Sequence, residues 1–239
     1  MSLTLRQLVK RFHPQGIPWP ASVFYNAISG SKIFRHHYDL VAEDLDRSGS
    51  AACILDIGTG PGRLLIPIRQ AFHHAVLLGV DISPSMIAQA KRNVGQYERI
   101  RRIELVVAGA GSLPFADGSF DRVLSTGSFH HWKSPLGCLA EAHRILKVGG
   151  YALIYDLVLR MPETVERNVR TQFGGFRVAL LRLYSFEEPF LDSNEMEALA
   201  GQTDFEVEGT RFIGALCCLV LRKKRPMSHR REEIRMNQP

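Results

Sequence analysis

The segment ILDIGTGPGRL (54–64) places an acid and three glycines at the end of a short apolar run. Gly58, Gly60 and Gly62 can take backbone angles that other residues avoid, and they let a ligand approach the main chain closely. A helix that follows such a turn presents free N–H groups to an anion. Asp81 ends the next apolar run, 21 residues after Gly60, where an acid accepts hydrogen bonds from ribose hydroxyls. We therefore expect a nucleotide-like ligand at this turn.

The glycine spacing does not by itself identify the nucleotide. A dinucleotide fingerprint, GxGxxG, counted from Gly58 needs a glycine at position 63, where the chain has Arg63. The glycines instead follow GxGxG, with Pro61 inside the turn. A nicotinamide-dependent oxidoreductase is disfavoured by this difference, but the spacing alone leaves it open.

These residues must be positioned by the alternating elements that the apolar pattern predicts. Strand-length apolar runs alternate with helical periodicity from residue 51 to residue 159, which indicates a parallel sheet covered on both faces. Ser83 before Pro84 is a helix start signal. The helix over 134–150 is expected to end at its C-terminal glycines. A capped helix is predicted near Ser193, and a strand pair around Gly214.

The predicted organisation is one domain with additions. Residues 1–48 form a helical lid, 49–221 form the main domain, and 222–239 form a basic and flexible tail. A cap insertion, expected to be irregular, covers 159–192. Two aromatic residues of this insertion, Tyr184 and Phe186, line the acceptor site or pack within the insertion.

The bulk composition bounds the class of protein. The net charge is +6, yet the last 19 residues carry seven lysines and arginines against two glutamates, and the other 220 carry 23 basic and 22 acidic groups. Nucleic acid binding through this tail is an alternative, whereas a solvated terminus is the ordinary interpretation.

No apolar run reaches the ~20 residues of a membrane span, and no secretory signal is visible, so we expect a cytoplasmic protein. The cysteines show no zinc spacing; we expect buried thiols and no metal at Cys53, Cys138, Cys217 and Cys218.

Four segments occur in order along the chain: ILDIGTGPGRL, GVDISPSMIAQA, SLPFADGSFDRVLS and LAEAHRILKVGGYALI. Together they resemble the successive motifs of class I S-adenosylmethionine-dependent methyltransferases, over about residues 51–157. The resemblance is to the small-molecule branch that includes the ubiquinone and menaquinone biosynthesis methyltransferases. It implies S-adenosyl-L-methionine as cofactor and a small-molecule acceptor. The implied fold is α/β: a Rossmann-like, doubly wound, seven-stranded and mostly parallel sheet with an antiparallel C-terminal hairpin strand.

The resemblance also implies roles for particular residues. Asp56 lies near the cofactor ammonium group, and Asp81 holds the ribose hydroxyls. Ile82 and Met86 pack on the adenine. The full set of implied cofactor-binding residues is Tyr25, Asp56, Gly58, Thr59, Gly60, Gly62, Asp81, Ile82, Met86, Gly109, Ala110, Gly111, Ser125 and Thr126. Ser125 and Thr126 lie under the sulfonium end, and Tyr25 touches the cofactor or acceptor, or else packs in the core.

One position departs from the family pattern. Related sequences usually have an aspartate where Gly109 stands, and that aspartate accepts from the adenine amino group. Losing one such hydrogen bond costs on the order of 1 kcal/mol, so we expect weaker cofactor binding. A catalytically weak cofactor-binding homologue is therefore an alternative function.

Methyl transfer needs alignment of the reactants and exclusion of water, and a base only if the acceptor must lose a proton. His130 and His131, in the segment FHHW after the fourth strand, are candidates for that base, or they cap the next helix or line the pocket. The second histidine pair, His36 and His37, is predicted to lie on the surface. The segment STGS (125–128) lacks the Asn/Asp-Pro-Pro-aromatic motif of enzymes that methylate base amino groups, which disfavours that chemistry. The acceptor and the oligomeric state are not predicted.

Overall fold

The computed structural model describes residues 23, 25–26, 29–96, 103–175 and 190–224. The strands of this part of the chain are β1 (Cys53–Ile57), β2 (Val76–Asp81), β3 (Ile103–Val107), β4 (Phe120–Thr126), β5 (Leu146–Asp156), β6 (Phe205–Ile213) and β7 (Leu216–Lys223). Its helices are α1 (Lys32–Arg47), α2 (Leu65–Ala71), α3 (Pro84–Gly95), α4 (Pro135–Ile145), α5 (Glu163–Phe173) and α6 (Ser193–Ala200), with one 3₁₀ turn at Phe129–His131.

The strands form one seven-stranded sheet in the order β3-β2-β1-β4-β5-β7-β6. The first five strands in this order pair in parallel, while β7 runs antiparallel to both of its neighbours. The hairpin between β6 and β7 turns at Gly214, whose φ is 58°. The predicted mostly parallel sheet with an antiparallel C-terminal hairpin strand is therefore confirmed. Because β1, β2 and β4 are parallel neighbours, their carboxyl ends meet at one edge of the sheet.

Two apolar layers cover the sheet because successive strand residues point to opposite faces. In β1, Ile54 packs with α1 and α2 on one face, whereas Leu55 packs with α4 and α6 on the other. The side chains of Ile54 and Leu55 are both fully buried. This double cover explains why the parallel strands are continuous apolar runs.

The C-terminal half of the predicted lid is part of this core. Helix α1 buries Val41 and Leu45 against β1, α2 and β4. His37, expected on the surface, is buried: one ring nitrogen lies 2.9 Å from the Ile33 carbonyl oxygen, and the other accepts from the Ala215 N–H at 3.3 Å. The surface prediction for His37 is wrong because the packing of α1 against the β6–β7 hairpin covers that side chain. The domain boundaries themselves stay a prediction.

The helix predicted over 134–150 ends earlier, at Ile145, and its glycines lie within β5. The β4–β5 register passes from Phe120 opposite Leu146 to Arg122 opposite Tyr151, so β5 bulges there. Gly149 has φ 81°, as such a bulge requires. The glycines therefore serve the bulge and not a helix cap.

The insertion at 159–192 was expected to be irregular, yet its described part contains α5. Val165, Val169 and Phe173 recur every four residues and pack with Ala215. That spacing is an amphipathic helix signal that the sequence reading missed. Tyr184 and Phe186 lie outside the described residues. The helix predicted near Ser193 is confirmed as α6, with a capping box between Asp192 and Glu195.

The cysteines and the helix lengths can be compared with the expectations from the sequence. The four cysteines are free thiols; three are buried, and Cys53 is half-buried. Within the described ranges, no helix has the length and apolarity that crossing a membrane requires.

Candidate functional site

Three glycines turn the chain at the end of β1, with φ values of 74° at Gly58, 53° at Gly60 and 72° at Gly62. We call residues 58–62 the glycine bend. A Cβ on Gly58 would overlap the Ser128 side chain, and one on Gly62 would lie 2.9 Å from the Ala90 Cβ. These two glycines therefore let the bend pack closely on its own chain.

Gly60 differs from its two neighbours because its outer side is open. The nearest atom to a Cβ at Gly60 would be Tyr25 Cε1, at 3.8 Å. The Gly60 N–H donates to Asp81 Oδ2 at 2.9 Å, and the Ser83 N–H donates to Asp81 Oδ1 at 2.8 Å. Each carboxylate oxygen keeps a second lone pair. Asp81 is thus fixed beside the bend and can still accept from a pair of ligand hydroxyls.

The backbone donors of the glycine bend are used within the chain. The N–H groups of Gly58 and Thr59 both donate to the Val80 carbonyl oxygen, at 2.8 and 2.9 Å. The Gly62 N–H donates to the Thr59 carbonyl oxygen at 3.0 Å. The Gly60 N–H is bonded to the Asp81 carboxylate, and Pro61 has no N–H. The bend therefore has no free backbone N–H for a phosphate. This weighs against the dinucleotide alternative, whose pyrophosphate needs such donors.

Asp56 is a buried carboxylate at the carboxyl end of β1. It is 2 % exposed, and its Oδ1 has no hydrogen-bond partner among the described residues. Burial is the main reason that the pKa of Asp56 is raised to about 7; the Thr59 hydroxyl opposes the rise, and the charge of Asp81 adds to it. A carboxylate in this state is ionised readily by an approaching cation, because the cation favours the charged form. Asp56 can therefore bind an ammonium group.

The predicted adenine-contacting residues are only partly brought together. Ile82 is 42 % exposed, and a Cβ at Gly109 would lie 3.6 Å from Ile82 Cδ1. These two residues form an open apolar face next to Asp81. Met86 in the first turn of α3 is 2 % exposed and offers almost no open surface.

The remaining residues of the predicted adenine segment turn towards α4. Ala110 packs against the core, and a Cβ at Gly111 would lie 3.7 Å from the Cys138 Sγ. An isolated bridge joins Gly109 to Ser112 and holds the turn together. Of this segment, only Gly109 is therefore shown to border the open apolar face.

The end of β4 meets the glycine bend through hydroxyl groups. The Ser125 and Ser128 hydroxyls share a hydrogen bond of 2.7 Å, and the Ser128 hydroxyl donates to the Ile57 carbonyl oxygen at 3.2 Å. Ser125 is fully buried. The buried Thr126 Oγ1 has no partner in the part of the chain that the structure describes. Ser125 thus supports the bend, and Thr126 keeps a free polar atom beside it.

The candidate bases lie in the 3₁₀ turn that follows β4. His130 is buried, and its Nδ1 lies 3.0 and 2.9 Å from the two carboxylate oxygens of Asp156. The His131 ring lies 3.9 Å from the His130 ring, centroid to centroid. Asp156 was not identified from the sequence. Its signal is its position, since it ends β5 as Asp56 and Asp81 end their strands.

Tyr25 lies beside the glycine bend, with its Cε1 atom 3.8 Å from where a Cβ on Gly60 would be. The pKa of Tyr25 is raised to about 12, first by burial and then by the charges of Asp156 and Asp81. The Tyr25 ring packs edge-on against Phe34, with centroids 6.5 Å apart. This side chain therefore closes the space above Gly60 from the α1 side.

A polar network that the sequence reading missed ties the neighbour of Tyr25 to the bend. Arg63 donates to the carbonyl and side-chain oxygens of Asn26, at 3.1 and 3.0 Å. Asn93 donates to the side-chain oxygen of Asn26 at 2.9 Å and to the Pro61 carbonyl oxygen at 2.8 Å. Nothing in the local sequence pattern pairs residues so far apart along the chain. In the described ranges, no cluster of three or more histidine, cysteine or acidic side chains is arranged to hold a metal ion.

Part of the chain is similar to known protein families. A family model described as a methyltransferase domain matches residues 55–154. That range contains the last three residues of β1, all of β2 to β4 and most of β5, and it includes the glycine bend, Asp81 and His130.

Two curated relatives are similar over less than half of the chain. The chain is 36 % identical over 104 residues to a ubiquinone/menaquinone biosynthesis C-methyltransferase of Geotalea uraniireducens, covering 43 % of this chain and 44 % of that protein. It is 39 % identical over 110 residues to a malonyl-[acyl-carrier protein] O-methyltransferase of Geobacter sulfurreducens, covering 44 % and 39 %. The chain spans from a third to about half of the length of the first curated relatives that it matches.

Solved structures match over most of the chain. The crystal structure of a protein from Methanococcus maripaludis, described as a putative S-adenosyl-L-methionine-dependent methyltransferase, has a TM-score of 0.68 at 19 % identity and covers 95 % of this chain and 98 % of its own. At this identity the similarity shows the fold alone.

Proposed function

We propose that this chain, whose residues 55–154 match a methyltransferase domain model, transfers a methyl group from S-adenosyl-L-methionine to a small-molecule acceptor. The observation that carries the proposal is the contact of Asp81 with the Gly60 N–H. It joins the ends of β1 and β2 into one cradle with an acid at its rim. The cradle has a free carboxylate lone pair for hydroxyls but no bend N–H for a phosphate.

The residues present fit this cofactor. Asp81 can accept the two ribose hydroxyls while its bonds to Gly60 and Ser83 keep it in place. The exposed face of Ile82 beside Gly109 can pack on a flat apolar base. The unpartnered Oδ1 of Asp56 can bind the ammonium group. When bound, S-adenosylmethionine supplies a methyl group on a positively charged sulfur that is a good leaving group.

The protein's own contribution is alignment and exclusion of water. The Ser125 and Ser128 hydroxyls share a hydrogen bond that fixes the end of β4 against the bend, and we place the acceptor beside this fixed strand end. Tyr25 covers this space from the α1 side. Orientation of two reactants and removal of water supply a large share of the rate of such a displacement.

Calorimetric titration with S-adenosylmethionine tests the proposal, with Asp81→Ala as the variant. The wild type should release or absorb heat with one site per chain, and Asp81→Ala should weaken binding by about tenfold or more, because two charge-assisted hydrogen bonds are lost. The matched control is Asp121→Ala. Asp121 likewise accepts two backbone N–H groups, from Ala52 and Cys53 at 3.0 and 2.9 Å, but at the opposite end of β1. Absence of any heat for the wild type under several conditions would count against the function.

The alternative of a catalytically weak cofactor-binding homologue is motivated by Gly109. Binding of the cofactor without turnover on a broad acceptor panel would favour it. Methylation of nucleic acid through the basic tail has no supporting contact among the described residues, and residues 225–239 of that tail lie outside them.

A cytoplasmic location remains part of the proposal. It is supported by the four free thiols, since reduced cysteines are typical of that compartment. Fractionation of cells that produce the full-length protein would test it.

A further inference from the structure

Asn26 is attached to the main domain through its side-chain oxygen. The Oδ1 atom of Asn26 accepts from a terminal nitrogen of Arg63 at 3.0 Å and from Asn93 Nδ2 at 2.9 Å. An amide oxygen has two lone pairs, and these two donors use both of them. Because a guanidinium group can only donate, the oxygen of the Asn26 amide must face Arg63. At this contact Asn26 therefore acts as an acceptor.

Asn93 of α3 has the opposite role. Its Nδ2 atom donates to Asn26 Oδ1 and also to the Pro61 carbonyl oxygen of the glycine bend, at 2.8 Å. Both partners are oxygens that only accept, so the buried Asn93 side chain must present its NH₂ group to them. One donor group therefore joins Asn26 and the glycine bend.

Arg63, the residue that follows the glycine bend, holds the same segment at a second point. Its terminal nitrogen also donates to the Asn26 carbonyl oxygen at 3.1 Å. A Cβ on Gly30 would lie 3.0 Å from the Arg63 Cζ atom, so the guanidinium occupies the space where a side chain at residue 30 would project. We call the contacts of Asn26 Oδ1 with Arg63 and Asn93 the Asn26 latch. All of its atoms belong to the protein.

Tyr25 is carried by the same segment, since it directly precedes Asn26. Its Cε1 atom lies 3.8 Å from where a Cβ on Gly60 would be, and the Gly60 N–H is one of the two donors that hold Asp81. Burial, then the charges of Asp156 and Asp81, raise the pKa of Tyr25 to about 12, so its hydroxyl is close enough to sense Asp81. A ligand on the Asp81 carboxylate would therefore lie next to Tyr25.

We propose that the Asn26 latch gates the cradle: release of Asn26 Oδ1 from Arg63 and Asn93 lets Tyr25 move away from Gly60, and this opening sets how fast the cofactor enters and leaves. The inference rests on the proposed binding of S-adenosyl-L-methionine and concerns the exchange of that ligand.

The composition of the latch determines its kinetic effect. Because the latch contains only protein groups, it stabilises the closed arrangement to the same extent in the free and in the ligand-bound protein. A contact that is equal in both states does not change the affinity for the ligand. A weaker latch should therefore accelerate entry and release together, and leave Kd nearly unchanged.

Replacement of asparagine by aspartate separates the two roles in the latch. Asn26→Asp keeps an acceptor oxygen and places a negative charge beside Arg63, so the latch should become stronger. Asn93→Asp places carboxylate oxygens against two oxygens that cannot donate, so the latch should break. Asn26→Ala removes the Oδ1 acceptor and should weaken the latch without adding a charge. The same chemical change thus has opposite expected effects at residues 26 and 93.

Amide hydrogen exchange of the free full-length protein, resolved by nuclear magnetic resonance, tests the latch without any ligand. The amides of Tyr25, Asn26 and Ser29 should exchange about tenfold faster in Asn26→Ala and in Asn93→Asp, because opening loses fewer hydrogen bonds in these variants. Asn26→Asp should exchange no faster than the wild type. Unchanged exchange in both weakened variants, or faster exchange in Asn26→Asp, would overturn the latch.

Surface plasmon resonance with S-adenosyl-L-homocysteine, the product of the proposed transfer, tests the gate. Asn26→Ala and Asn93→Asp should each raise the association and dissociation rate constants together by about tenfold, whereas Kd should change by less than about threefold. Asn26→Asp should lower both rate constants. Faster dissociation with unchanged or slower association would show that the contacts only support the binding site, and would overturn the gate.

The matched control is Asn168→Asp, at an exposed asparagine of α5, which should leave both rate constants and the amide exchange of residue 26 unchanged. If the wild type bound neither S-adenosyl-L-methionine nor its product, the proposed function would fall and the gate with it. If the wild type bound the product but its exchange rates did not follow the latch variants, only the gate would be overturned.

Discussion

Two buried aspartates, Asp44 on α1 and Asp56 near the carboxyl end of β1, have opposite surroundings. Asp44 of α1 is 4 % exposed and accepts from Arg211 Nε and a terminal Arg211 nitrogen, at 3.0 and 2.8 Å, and from the Tyr155 hydroxyl at 2.8 Å. Asp56 is 2 % exposed, and its Oδ1 has no partner in the described part of the chain. The charge and hydrogen-bonding capacity of Asp44 are satisfied within the chain, whereas Asp56 Oδ1 is left without a partner among the described residues.

The difference separates a structural group from a functional one. A buried charge is costly unless it is paired and hydrogen-bonded, and Asp44 meets that condition with Arg211 and Tyr155. Asp56 has no such counter-charge within the described ranges, and its raised pKa reflects the free-energy cost of ionising a buried carboxyl group. The free atoms at His130 and Thr126 lie in the same region as Asp56. Polar groups that the fold leaves unsatisfied are therefore gathered at the carboxyl edge of the sheet, where a ligand can satisfy them.

The largest expected effect is on the structural side of this comparison. Asp44→Ala should lower the free energy of unfolding by about 3 kcal/mol, because it leaves the buried Tyr155 hydroxyl without its acceptor and Arg211 without its counter-charge. Because the Arg211 side chain is 41 % exposed, water can solvate it, which keeps the loss at the low end for a buried pair. Urea denaturation measures the effect. Asp46→Ala, an exposed aspartate of the same helix, should change stability by less than about 0.5 kcal/mol. Equal losses in the two variants would contradict the assignment.

The glycine bend should be nearly as sensitive. Gly58→Ala should lower the free energy of unfolding by about 2–4 kcal/mol, since φ is 74° and the new methyl group overlaps Ser128. Gly118→Ala has a φ of 63° but no atom within 4 Å of the new Cβ, so it should cost only about 1 kcal/mol. Thermal unfolding compares the two. Recovery of part of the loss in Gly58→Ala combined with Ser128→Gly is expected, and no recovery would point to backbone strain alone.

Unlike Asp44→Ala, Asp56→Asn should weaken ligand binding without lowering the stability of the fold. The folded protein holds Asp56 protonated up to about pH 7, against an ordinary pKa of 3.8. The cost of ionising it therefore begins as the pH rises past 3.8 and is complete above 7. The variant should be as stable as the wild type at pH 4 and equally or more stable at pH 8, while its affinity for S-adenosylmethionine falls by about tenfold or more at pH 7.5. Lower stability of the variant at pH 8 would show that Asp56 is structural.

The pH dependence of S-adenosylmethionine binding tests directly whether ionised Asp56 contacts the ligand. If the ligand's cation requires ionised Asp56, the affinity should rise by up to about tenfold per pH unit below 7 and level off above it, with a proton released on binding below pH 7. Calorimetry in two buffers of different ionisation enthalpy measures the proton. Asp56→Asn should lose this dependence, and a wild type without it would leave Asp56 outside the binding site.

The smallest expected effect is at Gly109. Gly109→Asp should raise the affinity for S-adenosylmethionine by about fivefold, the value of one additional hydrogen bond to the adenine amino group. A Cβ there would meet only Ile82, at ordinary contact distance, so the fold should tolerate it. Gly109→Ala is the control without the acceptor and should leave the affinity unchanged. No gain in affinity for Gly109→Asp would show that the adenine ring does not lie beside residue 109.

Much of the fold could be predicted because local signals agreed with it. The buried strands were read from apolar runs, α3 from Ser83 and Pro84, and the C-terminal hairpin from the two runs around Gly214. The misreadings have physical causes. The glycines at 149–150 signal a helix end and a strand bulge equally well, and the cover over His37 comes from a hairpin nearly 180 residues away in sequence.

The sequence by itself determined the sheet, the glycine bend and the acids that end β1 and β2, because these follow from periodicity and from residues adjacent along the chain. Only the tertiary structure decided which polar atoms remain unsatisfied. It uses every N–H of the bend internally, pairs Asp44 with Arg211, and sets Asp156 against His130 while leaving Asp56 Oδ1 without a partner. Hydrogen-bond satisfaction depends on atoms brought together from distant strands, and no local pattern encodes that distance.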